Sequence, residues 1–273
     1  MTTSAGPVPS AAERFHQLHH GPILVLPNAW DVASARLVEE AGASAVATTS
    51  AGLSWSWGVA DGEHLGLERI LDLTRRVVDA VDVPVTTDLE AGYAQDLDGL
   101  AGNVRAVLDA GAVGVNVEDG LTGGLRPVAE QAARIAALRQ EAGAGLFVNA
   151  RTDTYWRAVG EAEDRLDETV RRAEAYLEAG ASGIFVPGLK DRGVIEALVA
   201  RIPAPVNILV GPGSPTIPEL ADLGVARASA GSAIALAAYG LVRRAAAELL
   251  GAGTYTELAG AADYPTMNAL LSR

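Results

Sequence analysis

The 273-residue sequence contains no cysteine, which removes several kinds of chemistry at once. Disulfide bonds, thiolate metal sites and a cysteine nucleophile are all excluded. Lysine is nearly absent as well, because Lys190 is the only lysine among 21 basic residues. These are outnumbered by 34 acidic residues, and the net charge of −13 disfavours a surface that binds nucleic acid or an anionic membrane.

Long hydrophobic runs are also missing. No run approaches the roughly 20 residues that cross a membrane, and residues 1–10 lack the order of a secretory signal. We therefore expect a cytoplasmic protein with no nucleic-acid or membrane partner. No linker or low-complexity tract divides the chain, so we predict one domain over residues 1–273. An N-terminal helix is expected within 1–21 and a helical extension within 251–273.

Short apolar segments alternate with helical patterns eight times, which predicts an α/β fold, a (β/α)8 barrel of the TIM type. A capping box at Ser10 and Glu13 begins the N-terminal helix. Ala-Gly-Ala follows three predicted helices, at 41–43, 110–112 and 179–181, and favours glycine caps that end them. Strands are expected at 23–27, 45–49, 83–88, 113–118, 146–151, 183–187, 206–210 and 225–229. Helices are expected at 67–80, 97–110, 127–142, 161–179, 233–249 and 256–271.

Carboxylates stand at the ends of two neighbouring strands of this predicted barrel. Asp88 ends the third strand and Glu118 ends the fourth, and Glu90 lies two residues beyond Asp88. A barrel gathers the C-terminal ends of its strands on one face, where catalytic groups lie. Carboxylate oxygens are the ligands that Mg²⁺ prefers, so we predict a metal site here. The alternative is that these are solvated loop acids or helix caps.

Arg151 ends the fifth strand, where a guanidinium can bind a substrate carboxylate with two parallel hydrogen bonds. An ion pair with Glu118 or Asp153 is the alternative, and both roles are compatible. Asp61 lies in the loop after the second strand, and His64 there is a weaker candidate acid.

The small residues of 48–54 can present backbone N–H groups to an anion, although such segments are usually only turns. The segments 211–214 and 230–232 are candidates for phosphate binding or for ordinary turns. Lys190 is a candidate for a Schiff base, but we expect it to be exposed. His16, His19 and His20 are expected on an exposed, mobile N-terminal helix.

Six segments of the chain resemble the isocitrate lyase/phosphoenolpyruvate mutase superfamily, in particular its 2-methylisocitrate lyase and carboxyphosphonoenolpyruvate phosphonomutase branch. They are Pro27-Asn-Ala-Trp-Asp31, residues 48–53, Thr87-Asp-Leu-Glu-Ala-Gly-Tyr93, Val115-Asn-Val-Glu-Asp119, Asn149-Ala-Arg-Thr-Asp153 and Leu223-Gly-Val-Ala-Arg227. The resemblance implies an α/β barrel, Mg²⁺ (with Mn²⁺ as a substitute) and a small oxo-acid or hydroxy-acid substrate. It also implies a homo-oligomer, a dimer or tetramer, often with a C-terminal helix swapped between subunits.

The resemblance further implies a role for individual positions. Asp88 would be the principal metal ligand, and Glu90 and Glu118 would act directly or through water. Arg151 and Asn207 would contact the substrate, with Asp61 nearby. The residues that would cradle a carboxylate or phosphonyl group are Ser50, Ala51 and Gly52.

The loop at 120–127 departs from the superfamily pattern, because it lacks the cysteine, lysine and histidine that lyase members carry there. Thr122 or a water molecule remains as a proton donor. We predict a Mg²⁺-dependent lyase that cleaves a C–C bond of a 2-hydroxy or 2-oxo acid through a stabilised enolate. The alternatives are a phosphonomutase or phosphonopyruvate hydrolase that acts on a C–P bond, and a non-catalytic oxo-acid-binding barrel.

Overall fold

The computed structural model describes residues 9–272 and contains one α/β barrel. The strands are β1 (Leu24–Leu26), β2 (Asn28–Ala29), β3 (Val46–Thr48), β4 (Val85–Asp88), β5 (Gly114–Glu118), β6 (Gly120–Leu121), β7 (Gly124–Leu125), β8 (Phe147–Arg151), β9 (Gly183–Val186), β10 (Val206–Leu209) and β11 (Arg227–Ser229). The helices are α1 (Ala11–Leu18), α2 (Val32–Glu40), α3 (Ser50–Ser56), α4 (Leu67–Ala80), α5 (Leu97–Asp109), α6 (Val128–Ala142), α7 (Arg165–Glu178), α8 (Arg192–Arg201), α9 (Ile217–Asp222), α10 (Ala233–Gly251) and α11 (Tyr264–Leu271). A 3₁₀ helix spans Thr256–Leu258.

The barrel closes at Pro27. Nine parallel strands run in the order β1-β11-β10-β9-β8-β5-β4-β3-β2, and β1 and β2 follow each other directly in the chain. β1 pairs with β11, whereas β2 pairs with β3. Proline has no N–H for the ladder, so the predicted first strand is divided in two at this residue. The eight predicted strand positions are otherwise confirmed, with shifts of one or two residues at the ends.

The strands are apolar on both faces because helices cover the outside and side chains fill the inside. The outer core packs side chains such as Val115, Val148 and Ile184 against Leu100, Ile135 and other residues of the helices. A separate interior cluster fills the lower end of the barrel, where the strands begin, and includes Leu24, Leu26, Ala45, Ala47 and Val113.

Helix α1 closes this lower end, which corrects the expectation of an exposed, mobile N-terminal helix. Phe15 is fully buried, and a Cβ atom on Gly114 would lie only 2.6 Å from its ring. His19 is 4% exposed and stacks on Phe147 with ring centroids 3.7 Å apart. His16 is partly buried and His20 is exposed. The apolar Phe15 anchors the helix, and its capping box at Ser10 and Glu13 is formed as predicted.

The predicted glycine caps are confirmed, since Gly42, Gly111 and Gly180 have φ values of 94°, 85° and 102°. The short helix α3 was not predicted, because its sequence is rich in small residues and serine. The last predicted helix, 256–271, is wrong in extent. Asp263 caps α11 and Pro265 lies in its first turn, so the helix begins at Tyr264. Among the described residues, no helix has the length and apolar character needed to cross a membrane.

Candidate active site

A small cleft of about 110 Å³ opens at the upper end of the barrel, where the strands end. Residues from eight strands or from the loops that follow them form its walls. They are Asn28, Thr49, Ser50, Ala51, Asp61, Asp88, Asn116, Arg151, Trp156, Phe185, Pro187, Leu209, Ser229, Gly231 and Ser232. The volume suits a molecule of a few heavy atoms, since drug-sized ligands occupy about 300–1,000 Å³.

Asp88 is the acid at the end of β4 that faces this cleft. Its Oδ2 accepts hydrogen bonds from the hydroxyl of Ser50 at 2.9 Å and from the Ser50 backbone N–H at 3.2 Å. Its own backbone N–H donates to the Thr48 hydroxyl at 3.0 Å. These contacts fix the carboxylate from the neighbouring strand β3 and leave its other oxygen for a ligand.

Arg151, at the end of β8, is held between two carboxylates. Its Nε donates to Asp153 Oδ1 at 2.6 Å and its Nη2 to Asp153 Oδ2 at 3.2 Å. Its Nη1 lies 2.8 Å from Glu118 Oε2. Both ion pairs foreseen from the sequence are therefore present, and they orient a guanidinium that still lines the cleft.

Burial and mutual repulsion raise the pKa values of the acids around the cleft. Burial raises the pKa of Glu118 to about 8, and the nearby Arg151 opposes this rise. Burial is the main cause that raises the pKa of Asp61, and the negative charge of Asp88 raises it further. Such values indicate a site short of positive charge, because each carboxylate would be more readily ionised beside a cation.

Glu90 does not line the cleft, because both of its oxygens are engaged behind it. The Glu63 backbone N–H donates to Oε2 at 2.7 Å, and the Tyr93 hydroxyl donates to Oε1. Burial raises the pKa of Glu90 to about 7. Glu63, Glu90 and Tyr93 all have positive φ, at 65°, 48° and 53°. Non-glycine residues pay roughly 1–3 kcal/mol for such conformations, which persist mainly near functional sites.

A polar chain crosses the barrel interior just beneath the cleft. The side-chain oxygen of Asn116 accepts from Asn149 Nδ2 at 2.8 Å and from Arg227 Nη2 at 3.3 Å. Because both bonds use the oxygen, the amide N–H groups of Asn116 are left for a ligand in the cleft. Arg227 is 1% exposed, and burial lowers its pKa to about 9 although Asp88 opposes this.

A family model for phosphoenolpyruvate phosphomutase matches residues 15–250. The chain belongs to this family. The Mycobacterium tuberculosis (strain ATCC 25618 / H37Rv) protein Rv1998c is 41% identical over 219 residues, which cover 80% of this chain and 81% of that protein. The 2-methylisocitrate lyase of Bacillus subtilis (strain 168) is 34% identical over 205 residues, which cover 71% of this chain and 65% of that enzyme.

Comparison with solved structures supports the same family assignment. A lyase/mutase-type protein from Burkholderia cenocepacia J2315 superposes with a TM-score of 0.90 at 35% identity, covering 96% of both chains. A phosphonopyruvate hydrolase in complex with oxalate and Mg²⁺ superposes with a TM-score of 0.84 at 25% identity, covering 97% of this chain and 95% of that one. The resemblance found in the sequence and the predicted TIM-type barrel are confirmed, and the protein is an enzyme of the phosphoenolpyruvate phosphomutase family.

The carboxylates around the cleft suit a Mg²⁺ that keeps several water ligands better than a metal ion whose ligands are all protein side chains. Among residues 9–272, no three acidic or histidine side chains form a ready-made metal cluster. Asp88 faces the cleft, Glu118 is paired with Arg151, and Glu90 is engaged behind it. Mg²⁺ usually keeps several waters and uses one or two carboxylates. One direct ligand at Asp88, with the other two acids acting through water, is compatible with this arrangement.

The remaining predicted residues divide between the cleft and its surroundings. Ser50, Ala51 and Asp61 line the cleft. Gly52 packs instead beneath α10, because a Cβ atom there would lie 2.8 Å from the Trp30 Cβ and 3.3 Å from the Ala235 Cβ. Asn207 lies one layer deeper, where its Nδ2 donates to the Ser229 hydroxyl at 3.1 Å.

Three other candidates lie outside the cleft. Thr122 is exposed at the tip of the β6–β7 hairpin, which is formed by the loop that lacks the superfamily's cysteine. Lys190 is exposed as predicted, and its Nζ donates to the Pro212 carbonyl at 2.9 Å. His64 is exposed in the segment between α3 and α4.

Sequence reasoning missed several residues of the cleft, in particular Asn28, Asn116, Trp156 and Phe185. Asn28 bridges the first and last strands, since its Nδ2 donates to the Thr48 carbonyl at 2.9 Å and its Oδ1 accepts from the Gly231 N–H at 2.8 Å. An asparagine that follows Pro27 in a strand was the available signal. Trp156 gave none, because nothing local shows that its loop folds over the barrel.

Proposed function

We propose that the protein is a Mg²⁺-dependent lyase that cleaves a C–C bond of a small 2-hydroxy or 2-oxo acid through a stabilised enolate. The convergence of Asp88, Asp61 and Arg151 on one small cleft is the observation that carries this proposal. Similarity to a 2-methylisocitrate lyase supports the reaction class. Mn²⁺ is expected to replace Mg²⁺, because both prefer oxygen ligands.

The carboxylates around the cleft would hold the cation, with Asp88 as direct ligand and Glu90 and Glu118 through water. A divalent cation supplies positive charge that offsets the charge developing on oxo-acid oxygens as a bond breaks. The raised pKa values of Glu118, to about 8, and of Asp61 support a cation here, since positive charge nearby favours the ionised form of both acids.

Arg151 is proposed to bind the substrate carboxylate or the developing enolate oxygen. Its guanidinium is already fixed by Asp153 and Glu118, so little ordering is needed when the substrate binds. Ser50 and Ala51 line the opposite wall and are proposed to contact the same carboxylate. Asn207 and Gly52 are proposed to act from behind, through Ser229 and through the packing of α3.

Asp61 is the best-placed group to move a proton. It lines the cleft, and its raised pKa brings it closer to the neutral range in which a carboxyl can both donate and accept. Thr122 is proposed as a second contributor, which requires the β6–β7 hairpin to fold over the cleft.

We also propose a homo-oligomer in which α10 packs on a second copy. Helix α10 exposes a row of apolar side chains that includes Ile234, Leu236, Tyr239 and Val242. An apolar groove of about 700 Å³ lies beside β1, where Val25 on the outside of the barrel is 37% exposed. A barrel helix normally covers such a strand. Helix α10 of a partner in this groove would bury both surfaces.

Turnover with and without metal tests the proposed reaction. Protein treated with EDTA, and then given Mg²⁺ or Mn²⁺, is incubated with 2-hydroxy diacids, 2-oxo acids and phosphonopyruvate while release of pyruvate or glyoxylate is measured. We expect metal-dependent cleavage that Asp88→Asn abolishes and that Asp98→Asn, a change at an exposed acid of α5, leaves intact.

Other outcomes of this screen contradict the proposal in different ways. Turnover of phosphonopyruvate alone would place the enzyme in the C–P branch. Metal-dependent binding of oxo acids without turnover of any substrate would favour a binding protein. Activity that survives EDTA would remove the metal from the account.

A further inference from the structure

Backbone strain is concentrated beside the cleft, where two loops meet. Among residues 9–272, four non-glycine residues have positive φ, and three of them are Glu63, Glu90 and Tyr93. Glu63 lies in the segment between α3 and α4 that carries Asp61, and the other two lie in the turn after β4. Conformations of this kind persist only where surrounding contacts enforce them, and they cluster at functional sites.

The turn after β4 is held rigidly by two neighbouring helices. The side chain of Asn103, on α5, donates to the carbonyls of Gly92 and Tyr93, both at 2.9 Å. Arg134, on α6, donates from Nη2 to the Ala91 carbonyl at 2.7 Å. Tyr93 also packs against two of the apolar clusters of the core. The turn is therefore a fixed surface on which the other loop can rest.

Residues 60–65, in contrast, have few contacts to hold them. They make no backbone–backbone hydrogen bond to any residue of the described chain, and four of the six are exposed. Their hydrogen bonds to the turn come from one residue. The Glu63 backbone N–H donates to Glu90 Oε2 at 2.7 Å, and Glu63 Oε1 accepts from the Tyr93 backbone N–H at 2.6 Å. We call this reciprocal pair of bonds the Glu63 latch.

The latch bears on the cleft because Asp61 lies two residues before Glu63. Asp61 lines the cleft although most of its loop is exposed. Gly62, between the two, has a φ of 106° and forms a tight turn. Two residues of chain span at most about 7 Å, so Asp61 stays near the cleft as long as Glu63 is bound.

We propose that Glu63 is a positioning residue, which locks residues 60–65 onto the turn after β4 and thereby holds Asp61 over the cleft. The bonds of the latch enforce strained backbone on both sides, so their loss frees the loop. Asp61 then spends less time in the orientation needed to move a proton. This inference rests on the proposed function, because it takes the role of Asp61 from it.

Two variants of Glu63 that differ by one methylene group test this role. Glu63→Gln keeps an oxygen at the same reach, which can still accept from the Tyr93 N–H. Glu63→Asn loses that reach, although asparagine adopts positive φ more readily than most residues. If strain alone mattered, asparagine would be the milder change, whereas the latch requires the opposite order. The control is Glu68→Asn, which removes the same charge at an exposed acid in the first turn of α4.

Steady-state kinetics with Mg²⁺ uses the acid that the turnover screen identifies as substrate. We expect Glu63→Asn to lower kcat by about 10²-fold, the cost of misaligning a catalytic group by about 1 Å, while KM changes much less. Glu63→Gln and Glu68→Asn should keep most of the wild-type kcat. Calorimetry should show that all four proteins bind oxalate equally with Mg²⁺, because Asp88 and Arg151 are unchanged.

Hydrogen exchange measures the latch itself, without turnover. In Glu63→Asn, the backbone amides of position 63 and of Tyr93 should exchange at least about tenfold faster than in the wild type. This factor is expected when a hydrogen bond to a charged group no longer opposes opening of the loop. Unchanged exchange would show that other contacts hold the loop, and would overturn the inference.

The measurements tell two failures apart. If the wild type does not bind oxalate with Mg²⁺, or turns over none of the acids, the proposed function fails and the role of Glu63 fails with it. If the wild type does both but Glu63→Asn keeps its kcat, or Glu63→Gln loses as much, only the role of Glu63 is overturned. An equal loss of kcat and of oxalate binding in Glu63→Asn would also overturn it, since the metal site itself would then be disturbed.

Discussion

At the scale of single residues, Asp153 matters as much as the residues that touch the substrate. It is fully buried and holds both Nε and Nη2 of Arg151 with one carboxylate. Arg157 shares the same carboxylate, with its Nε 3.1 Å from Oδ2. Asp153 is therefore a positioning residue, because its effect on chemistry passes through the orientation of Arg151.

We predict that Asp153→Asn lowers kcat by about 10²-fold, the cost expected when a catalytic group loses its alignment by about 1 Å. Because Glu118 still binds Arg151, KM should change much less than kcat. Steady-state kinetics checks this, with Asp98→Asn as the control. A variant with an unchanged kcat would show that Glu118 alone is enough to orient Arg151.

His19 offers a test of how the lower end of the barrel responds to acid. Burial is the main cause that lowers its pKa to about 3, and Arg227, His16 and His20 contribute. Since the unfolded chain binds this proton with a pKa near 6.5, unfolding takes up a proton between pH 6.5 and 3. Stability from His19 is therefore complete above pH 6.5 and falls as the pH falls.

The variant His19→Phe keeps a ring against Phe147 and cannot titrate. We predict that its free energy of unfolding falls less steeply than that of the wild type below pH 6.5, by about 3 kcal/mol at pH 4.5. Urea unfolding at several pH values measures this difference. Parallel curves for the two proteins would mean that His19 is hydrated or already charged in the folded state.

At the scale of elements, the β6–β7 hairpin combines a tightly packed base with an exposed tip. Its base is packed tightly, because a Cβ atom on Gly120 would lie 2.6 Å from Asp153 Oδ2 and 2.8 Å from Arg157 Nε. The tip carries Thr122 and Gly123, whose φ is 91°. Arg157 also donates to the Leu121 carbonyl at 2.9 Å, which couples the hairpin to the Arg151 site.

We predict that Gly120→Ala displaces the side chains of Asp153 and Arg157 and lowers turnover at least about tenfold, a barrier change near 1.4 kcal/mol. Gly124→Ala is the matched control, since a Cβ atom there meets nothing within 4 Å and its φ is not positive. Equal turnover in the two variants would show that the base of the hairpin yields without moving Asp153.

The elements themselves could mostly be predicted from the sequence, for a physical reason. A strand buried on both faces needs a mainly apolar segment, and Leu146 to Val148, or Val113 to Val117 with its single polar Asn116, provide one regardless of the rest of the chain. Helix α1 was misjudged because Phe15 is a single aromatic residue in a polar helix, and its partners Gly114 and Phe147 are distant in sequence.

The candidate site was predictable where a side chain ends its own strand, as Asp88, Glu118 and Arg151 do. Glu90 was expected on the same side as Asp88, but its positive φ after Leu89 ends the alternation of the strand, and its carboxylate instead accepts from Glu63 and Tyr93 behind the cleft. The apolar side of the cleft could not be predicted, since Trp156 and Leu209 come from parts of the chain that are distant in sequence and line the same cleft only in the folded barrel.

At the scale of the whole molecule, helix α10 exposes an apolar surface that would be unfavourable on a monomer. Leu236 is 55% exposed and Val242 is 63% exposed on the same helix. Exposed apolar patches of this kind usually mark protein–protein interfaces.

We predict that the wild type is a dimer or tetramer by light scattering and that Val242→Asp shifts it to a monomer. Leu97→Asp is the control, because Leu97 is a comparably exposed apolar residue on α5, 43% exposed, away from this surface. A monomeric wild type, or an oligomer that tolerates Val242→Asp, would contradict the proposed packing of α10.

The account as a whole depends on Asp88 as the group that brings a divalent cation and an oxo acid together. Calorimetric titration of oxalate into the protein with Mg²⁺ tests this most directly, with Asp88→Asn and Asp98→Asn measured in parallel. We predict binding in the wild type and in Asp98→Asn that is lost with EDTA and weakened at least about 100-fold in Asp88→Asn, a change near 2.7 kcal/mol. Equal binding of oxalate by Asp88→Asn, or binding that does not need Mg²⁺, would contradict it.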